Sequence, residues 1–173
     1  HFQRRVTELL AHLAERPEDT EARDALARTS LLGGDAEGAA REWGKLLESH
    51  PDSVPLHMKL AHAEAERAHH AEAERLLRRA VGLAPGEAAV HAQMAELRRT
   101  RGDLSGAAAS AERAVALAPD DARVHTLLAD LLEELGRAAE AASVRERASA
   151  LDPAVLEAEA HLSLERYFSI TAV

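Results

Sequence analysis

Five of the six prolines stand at Pro17, Pro51, Pro85, Pro119 and Pro153, each thirty-four residues after the one before. A spacing kept that strictly means that the chain repeats one supersecondary unit, and that its fold is a stack of such units. Other columns appear once the chain is aligned on proline. Ala27, Ala61, Ala95 and Ala129 share one register, and Ala39, Ala73, Ala107 and Ala141 share another. Leu26, Leu60, Met94 and Leu128 precede the first column. Ala80, Ala114 and Ala148 form a further column, in which Leu46 is the exception, and Leu83, Leu117 and Leu151 follow it.

Each column has a physical reason. Two antiparallel helices joined by a short turn approach closely only where small residues face each other, so the two complete Ala columns mark the crossing, one on each helix. The Leu/Met column supplies the apolar contact beside it. Proline lacks an N–H and clashes with the preceding turn, so it closes the second helix of each pair. Gly33-Gly34-Asp35, Gly102-Asp103 and Gly136-Arg137 fit a left-handed helix end, with Asp35 and Asp103 placed to cap the helix that follows. The second repeat has Ala68-His69-His70 there instead, which predicts a less well capped turn. Composition agrees with an all-α reading. The chain is 46% hydrophobic but only 2% aromatic, and much of the apolar content is alanine, the best helix former.

These features predict an incoming helix at 2–15, then four pairs: 21–32 with 36–49, 54–67 with 70–83, 88–100 with 104–117, and 122–135 with 138–151. A last helix is expected over 154–166, with Leu156, Leu162 and Val155 on its buried face, covering the open apolar end of the stack. The tail 167–173 holds Tyr167 and Phe168, two of only four aromatics. It either folds back as an end cap or docks on another chain, and its deletion separates the two.

The pattern resembles the tetratricopeptide repeat family, whose unit is a thirty-four-residue helical pair with small residues at these crossings and a closing proline. The resemblance implies a right-handed α-solenoid and spans nearly the whole chain as one domain. Residues 1–17 are the incoming helix, 20–53, 54–87, 88–121 and 122–155 the four repeats, and 156–173 the capping helix and tail. The family's aromatic near the start of the first helix is replaced by Arg23, His57, His91 and His125, and imidazole is expected to fill that slot with its polar edge towards solvent. The large apolar residue late in that helix becomes Ser30, Glu64, Arg98 and Leu132. Lighter packing and modest stability follow.

Charge narrows the function classes. A formal net charge of −9 argues against a nucleic-acid binder, since phosphate contact relies on clustered Lys and Arg. The pairs Arg78-Arg79 and Arg98-Arg99 are read as solvated helix faces. Protonating all ten His would carry the charge from −9 to +1 (−9 + 10), which predicts self-association in mild acid. The chain has no cysteine, and hence neither disulfide nor thiolate chemistry, and no apolar run long enough to span a membrane. The opening His1-Phe2-Gln3-Arg4-Arg5 holds neither an initiator Met nor a signal-peptide core, so the chain is read as a module of something longer. Arginine outnumbers lysine, present only as Lys45 and Lys59, and with the high alanine content this suggests a GC-rich bacterial genome.

No catalytic residues, metal site or cofactor are expected. There is no phosphate loop after a strand and no nucleophile elbow. Carboxylates such as Glu74, four residues before Arg78, are ordinary helix-face partners of arginine. His57, His91 and His125 recur a repeat apart, about 8–10 Å between packed helices, whereas a zinc ligand lies about 2 Å from its metal. His62, Glu66, His69 and His70 cluster in sequence but lack the paired spacing of zinc helices. Arg101-Gly102-Asp103 spells an adhesion tripeptide, yet its Gly and Asp are the residues that a helix end and the next cap require.

The resemblance further implies a concave groove lined by the first helix of each pair, which takes a partner's peptide or helix. The lining would be Glu21, Asp24 and Arg28; Met58, His62 and Glu66; Ala92, Glu96 and Arg99; and Arg123, Thr126, Asp130 and Glu133. The lysine and asparagine set with which some family members clamp a C-terminal carboxylate is not at these positions. An interaction scaffold or adaptor for a basic or mixed-charge segment is therefore expected. The alternatives are a homo-oligomer joined through repeat ends or the C-terminal tail, and a regulatory segment of a larger enzyme.

Overall fold

The computed structural model describes residues 2–152, and among these all regular structure is α-helical. The chain divides into two compact units, His1–Gly86 and Glu87–Val173. The first contains α1 (Phe2–Glu15), α2 (Thr20–Leu32), α3 (Ala36–Ser49), α4 (Val54–Glu66) and α5 (His70–Leu83). The second contains α6 (Ala88–Thr100), α7 (Leu104–Leu117), α8 (Ala122–Glu134) and α9 (Ala138–Leu151). The expected helix at 154–166, with Val155, Leu156 and Leu162, and the tail 167–173 lie outside the described residues.

In the first unit α2 packs on α3 and α4 on α5, while α1 lies against α2 and α3 against α4. In the second, α6 packs on α7, α8 on α9, and α7 on α8. Both Ala columns sit at these crossings: Ala27, Ala61, Ala95 and Ala129 are sealed from solvent, as are Ala39, Ala73 and Ala107, with Ala141 nearly so. Leu9 and Leu13 of α1 bury themselves against Leu26. In the second unit Leu128, Leu131 and Leu132 fill the space around Ala95, Ala107, Ala108 and Ala111. Each buried leucine contributes about 1.5–3 kcal/mol, so a few of them among alanines support an otherwise light core.

The turns within the pairs share one geometry. Asp35, His69, Asp103 and Arg137 each donate a backbone N–H to the carbonyl five residues back, that of Ser30, Glu64, Arg98 and Leu132. The preceding residue donates to the carbonyl three back, which completes a Schellman ending. That ending needs a left-handed residue, supplied by Gly34, Gly102 and Gly136 at φ 86°, 79° and 77°. In the second pair Ala68 is forced into the same region at φ 60°. As expected of that turn, His69 gives α5 no side-chain cap, whereas Asp35 and Asp103 accept from Gly38 N–H and Gly106 N–H at 2.8 and 2.9 Å. Those two glycines leave room for the cap, because a Cβ on either would meet the other oxygen of the capping carboxylate, Oδ2, at 2.1 Å.

Between pairs, the second helix ends on a non-helical residue just before proline. His50, Ala84 and Ala118 have φ between −132° and −139° and ψ between 64° and 77°, outside the α region that a following proline disfavours. The sixth proline, Pro55, lies in the first turn of α4, where no N–H is missed.

Two sequence expectations are corrected. His57 and His125 do not turn a polar edge to solvent. Both are buried, and the ring nitrogens donate to backbone carbonyls, Nδ1 of His57 to Ser53 at 2.9 Å and Nε2 of His125 to Pro119 at 2.8 Å. Arg23, in the same register, donates to the carbonyl of Pro17 at 2.6 Å, so the slot holds a donor that ties the helix to its proline loop. Arg98 is likewise not a solvated face residue. It is half-buried and donates to the carbonyl of Gly106 and the hydroxyl of Ser110, fastening α6 to α7.

Candidate functional site

The residues expected to line a groove fall on α2 and α4 in the first unit and on α6 and α8 in the second. On α2, Glu21 and Arg28 are exposed, but Asp24 is half-buried and held from three sides. Trp43 Nε1 donates to its Oδ1 at 2.8 Å, Lys59 Nζ to the same oxygen at 2.7 Å, and Arg28 Nε lies 3.1 Å from Oδ2. Burial alone would raise the pKa of Asp24. The hydrogen bonds from Lys59 and Trp43, with the charges of Lys59 and Arg28, outweigh it and hold the carboxyl below its usual range. Asp24 therefore joins α2, α3 and α4, and its charge is already satisfied. On α4, Met58 is half-buried, while His62 and Glu66 are exposed. Glu66 has no ion pair among the described residues, and the same is true of Glu21.

In the second unit Ala92 is half-buried and Glu96 exposed on α6. Arg99 lies 3.7 Å from Glu96 and makes a short ion pair with Glu134 of α8. On α8, Arg123 closes on Asp121 through Nη2 at 2.8 Å, which draws it into the helix cap. The Thr126 hydroxyl donates to the carbonyl of Ala122 at 3.0 Å. Asp130 and Glu133 share Arg145 of α9, at 2.8 and 3.0 Å.

The arrangement leaves two kinds of surface. Asp24, Arg99, Asp130 and Glu133 are committed to internal ion pairs that brace one helix on another. Glu21, His62, Glu66 and Glu96 project from the first helices as polar, solvent-facing groups. Among the described residues no three of His, Asp and Glu come together as metal ligands, and His69 Nδ1 meets Glu64 at 2.8 Å rather than His62 or Glu66.

Four participants escaped sequence reasoning: Trp43, Lys59, Glu134 and Arg145. A signal for two of them was present. Lys59 follows Asp24 by thirty-five residues, and Glu134 follows Arg99 by the same interval. Opposite charges at one repeat plus one residue meet on neighbouring first helices. Trp43 and Arg145 share a second-helix column with Leu77 and Ala111, and no local pattern says that those two reach the first helix.

The fold defines an all-α helical repeat protein. The tetratricopeptide repeat family model matches residues 99–165. Solved structures agree. TTC0263, a thermophilic TPR protein in Thermus thermophilus, is 27% identical with a TM-score of 0.74, and the match covers 97% of this chain and 89% of that one. MamA from Desulfovibrio magneticus RS-1 is 17% identical with a TM-score of 0.72, covering 86% and 84%. A further MamA structure is 18% identical with a TM-score of 0.72, covering 88% and 89%, and at these identities the MamA likeness is one of fold. No curated protein matches the chain in sequence. The chain is thus similar to tetratricopeptide repeats in sequence over residues 99–165, and it shares the helical-repeat fold of the solved tetratricopeptide repeat proteins.

Proposed function

We propose that this protein is an interaction scaffold that takes a peptide or helix of a partner protein against the first helices of its repeats. The observation that carries the reading is the contrast on those helices. Some charges are locked into braces, while Glu21, His62, Glu66 and Glu96 stand exposed on the same elements beside half-buried Met58. Exposed acids beside an apolar contact suit a basic or mixed-charge segment, with charge setting on-rate and specificity more than affinity. Asp24 and Asp130 support the surface rather than read the ligand, since each is already paired. Catalysis is assigned no residue here.

The test is site-specific photocrosslinking in a lysate of the source organism. A crosslinker at His62 on α4 is expected to capture a partner that one at exposed Ala71 on α5 does not. Adding Glu21→Lys and Glu66→Lys should abolish that capture, because neither substitution breaks an ion pair. Equal capture from Ala71 would discard the first-helix reading. Capture of the protein's own chain alone would replace it with self-assembly.

A further inference from the structure

We propose that the loop between α5 and α6, at Pro85–Glu87, is a built-in breaking point, and that the two compact units unfold as separate cooperative units. Three observations at this loop set it apart from the equivalent loops.

The first is the helix cap. Asp19 accepts from Ala22 N–H at 2.9 Å, Ser53 from Leu56 N–H at 3.4 Å, and Asp121 from Arg123 N–H at 2.9 Å. Glu87 stands at the same place before α6 and makes no side-chain cap. Its chain is one methylene longer than aspartate, and the N–H of Val90 falls back on the carbonyl of Glu87 at 3.2 Å. The second is exposure. Asp19, Ser53 and Asp121 are half-buried by the bonds that they make, whereas Glu87 is exposed. The third is the residue after proline. Glu18, Asp52 and Asp120 follow their prolines, and Asp52 pairs with Arg79 at 3.0 Å while Asp120 faces Arg147 at 3.9 Å. Position 86 is glycine, which has no carboxylate to offer and the largest conformational freedom to lose. Among the proline loops within the described residues, the one that lacks both devices is the one at which the chain divides into its compact units.

In a repeat array, stability is a sum of unit and neighbour terms, so the weakest loop is where cooperativity breaks. A chain built in this way can open one unit while the other stays folded.

The lone tryptophan makes the proposal testable in the intact chain. Trp43 is buried in the first unit and its fluorescence reports that unit alone, while far-ultraviolet circular dichroism reports every helix. In a urea titration the wild-type curves are expected not to coincide. Gly86→Asp with Glu87→Asp, which restores the residue types of the last loop, should draw the two midpoints together. Nothing lies within 4 Å of a Cβ at position 86, so the change introduces no clash. Hydrogen exchange at Val90 should slow by about fivefold in the double variant, the size of effect that a side-chain cap has on a helix start. Coincident wild-type transitions would overturn the proposal, and so would unchanged exchange at Val90 in a folded double variant.

Discussion

Replacing Ala68 with glycine should stabilise this protein, although it removes a methyl group and adds a residue that ordinarily weakens helices. Ala68 sits at φ 60° in the Schellman turn between α4 and α5, donating its N–H to Ala65 at 2.9 Å while His69 donates to Glu64 at 2.8 Å. The three sister turns have glycine at this place. An L-residue in the left-handed region costs about 1–2 kcal/mol, because Cβ crowds the following carbonyl oxygen. Glycine gives back about 0.4–1 kcal/mol through the greater freedom of the unfolded chain. The net expectation is about 0.5–1 kcal/mol of stabilisation, since the cost removed exceeds the entropy returned. For a chain of this length that is about 1–4 °C in Tm. Ala68 is exposed, so no packing is lost with its methyl. What holds the strained turn is the Glu64 carboxylate, which takes Arg67 at 2.9 Å and His69 at 2.8 Å. That pairing stands where a Schellman ending usually has an apolar contact between the same two positions. Urea denaturation followed by Trp43 fluorescence measures the change within the same unit. Gly102→Ala, followed by circular dichroism, is the mirror experiment and should destabilise by a similar amount. A neutral or destabilising Ala68→Gly beside a costly Gly102→Ala would refute the argument, because the same backbone conformation would then carry a cost in one turn only.

Asp103→Ala should cost about 1 kcal/mol through loss of the α7 cap, and Gly106→Ala should be nearly neutral, its better helix propensity offset by displacement of the capping carboxylate. The double variant should recover most of the loss, and a double-mutant cycle that sums without coupling would exclude the competition for space. Acid should destabilise the first unit. Asp24 and Glu42 are both depressed below their ordinary 3.8 and 4.5, in each case against burial, by Lys59 and Trp43 at Asp24 and by Lys45 and Arg23 at Glu42. A depressed folded-state pKa contributes stability that is present above the ordinary value and lost as pH falls through the folded one. Trp43-detected stability should therefore decline below about pH 4.5, and Asp24→Asn with Glu42→Gln should flatten that decline. A variant with the wild-type acid slope would show that other carboxylates govern it. Leu131→Ala, in the sealed centre of the second unit, should cost about 2–5 kcal/mol by circular dichroism, and a loss under about 1 kcal/mol would mean that the alanine-rich surroundings collapse into the cavity.

How much was legible beforehand differs by level. The helices from α1 to α9 start and end within a residue or two of where proline, glycine and the Asp caps place them. Those signals are local: a proline stops its own helix, and an aspartate caps the helix three residues on, whatever lies beside them. The two Ala columns were legible for a related reason, since a crossing point that recurs in every unit writes itself into the sequence as a period. Even the poor turn at Ala68 could be foreseen from the missing glycine.

What a charged side chain would do was not legible, because that depends on its neighbour across the interface. Asp24 and Glu21 look alike three residues apart on one helix, yet Asp24 meets Trp43 and Lys59 while Glu21 faces solvent. His57 and His125 were expected to face water, and packing instead buried them with a backbone carbonyl in reach. The sequence by itself determined the repeat, its helices and its caps, which follow from backbone sterics and hydrogen bonds over a few residues. The tertiary structure alone decided which charges became braces and which stayed exposed to solvent, because an ion pair depends on angstroms between helices that no single helix controls.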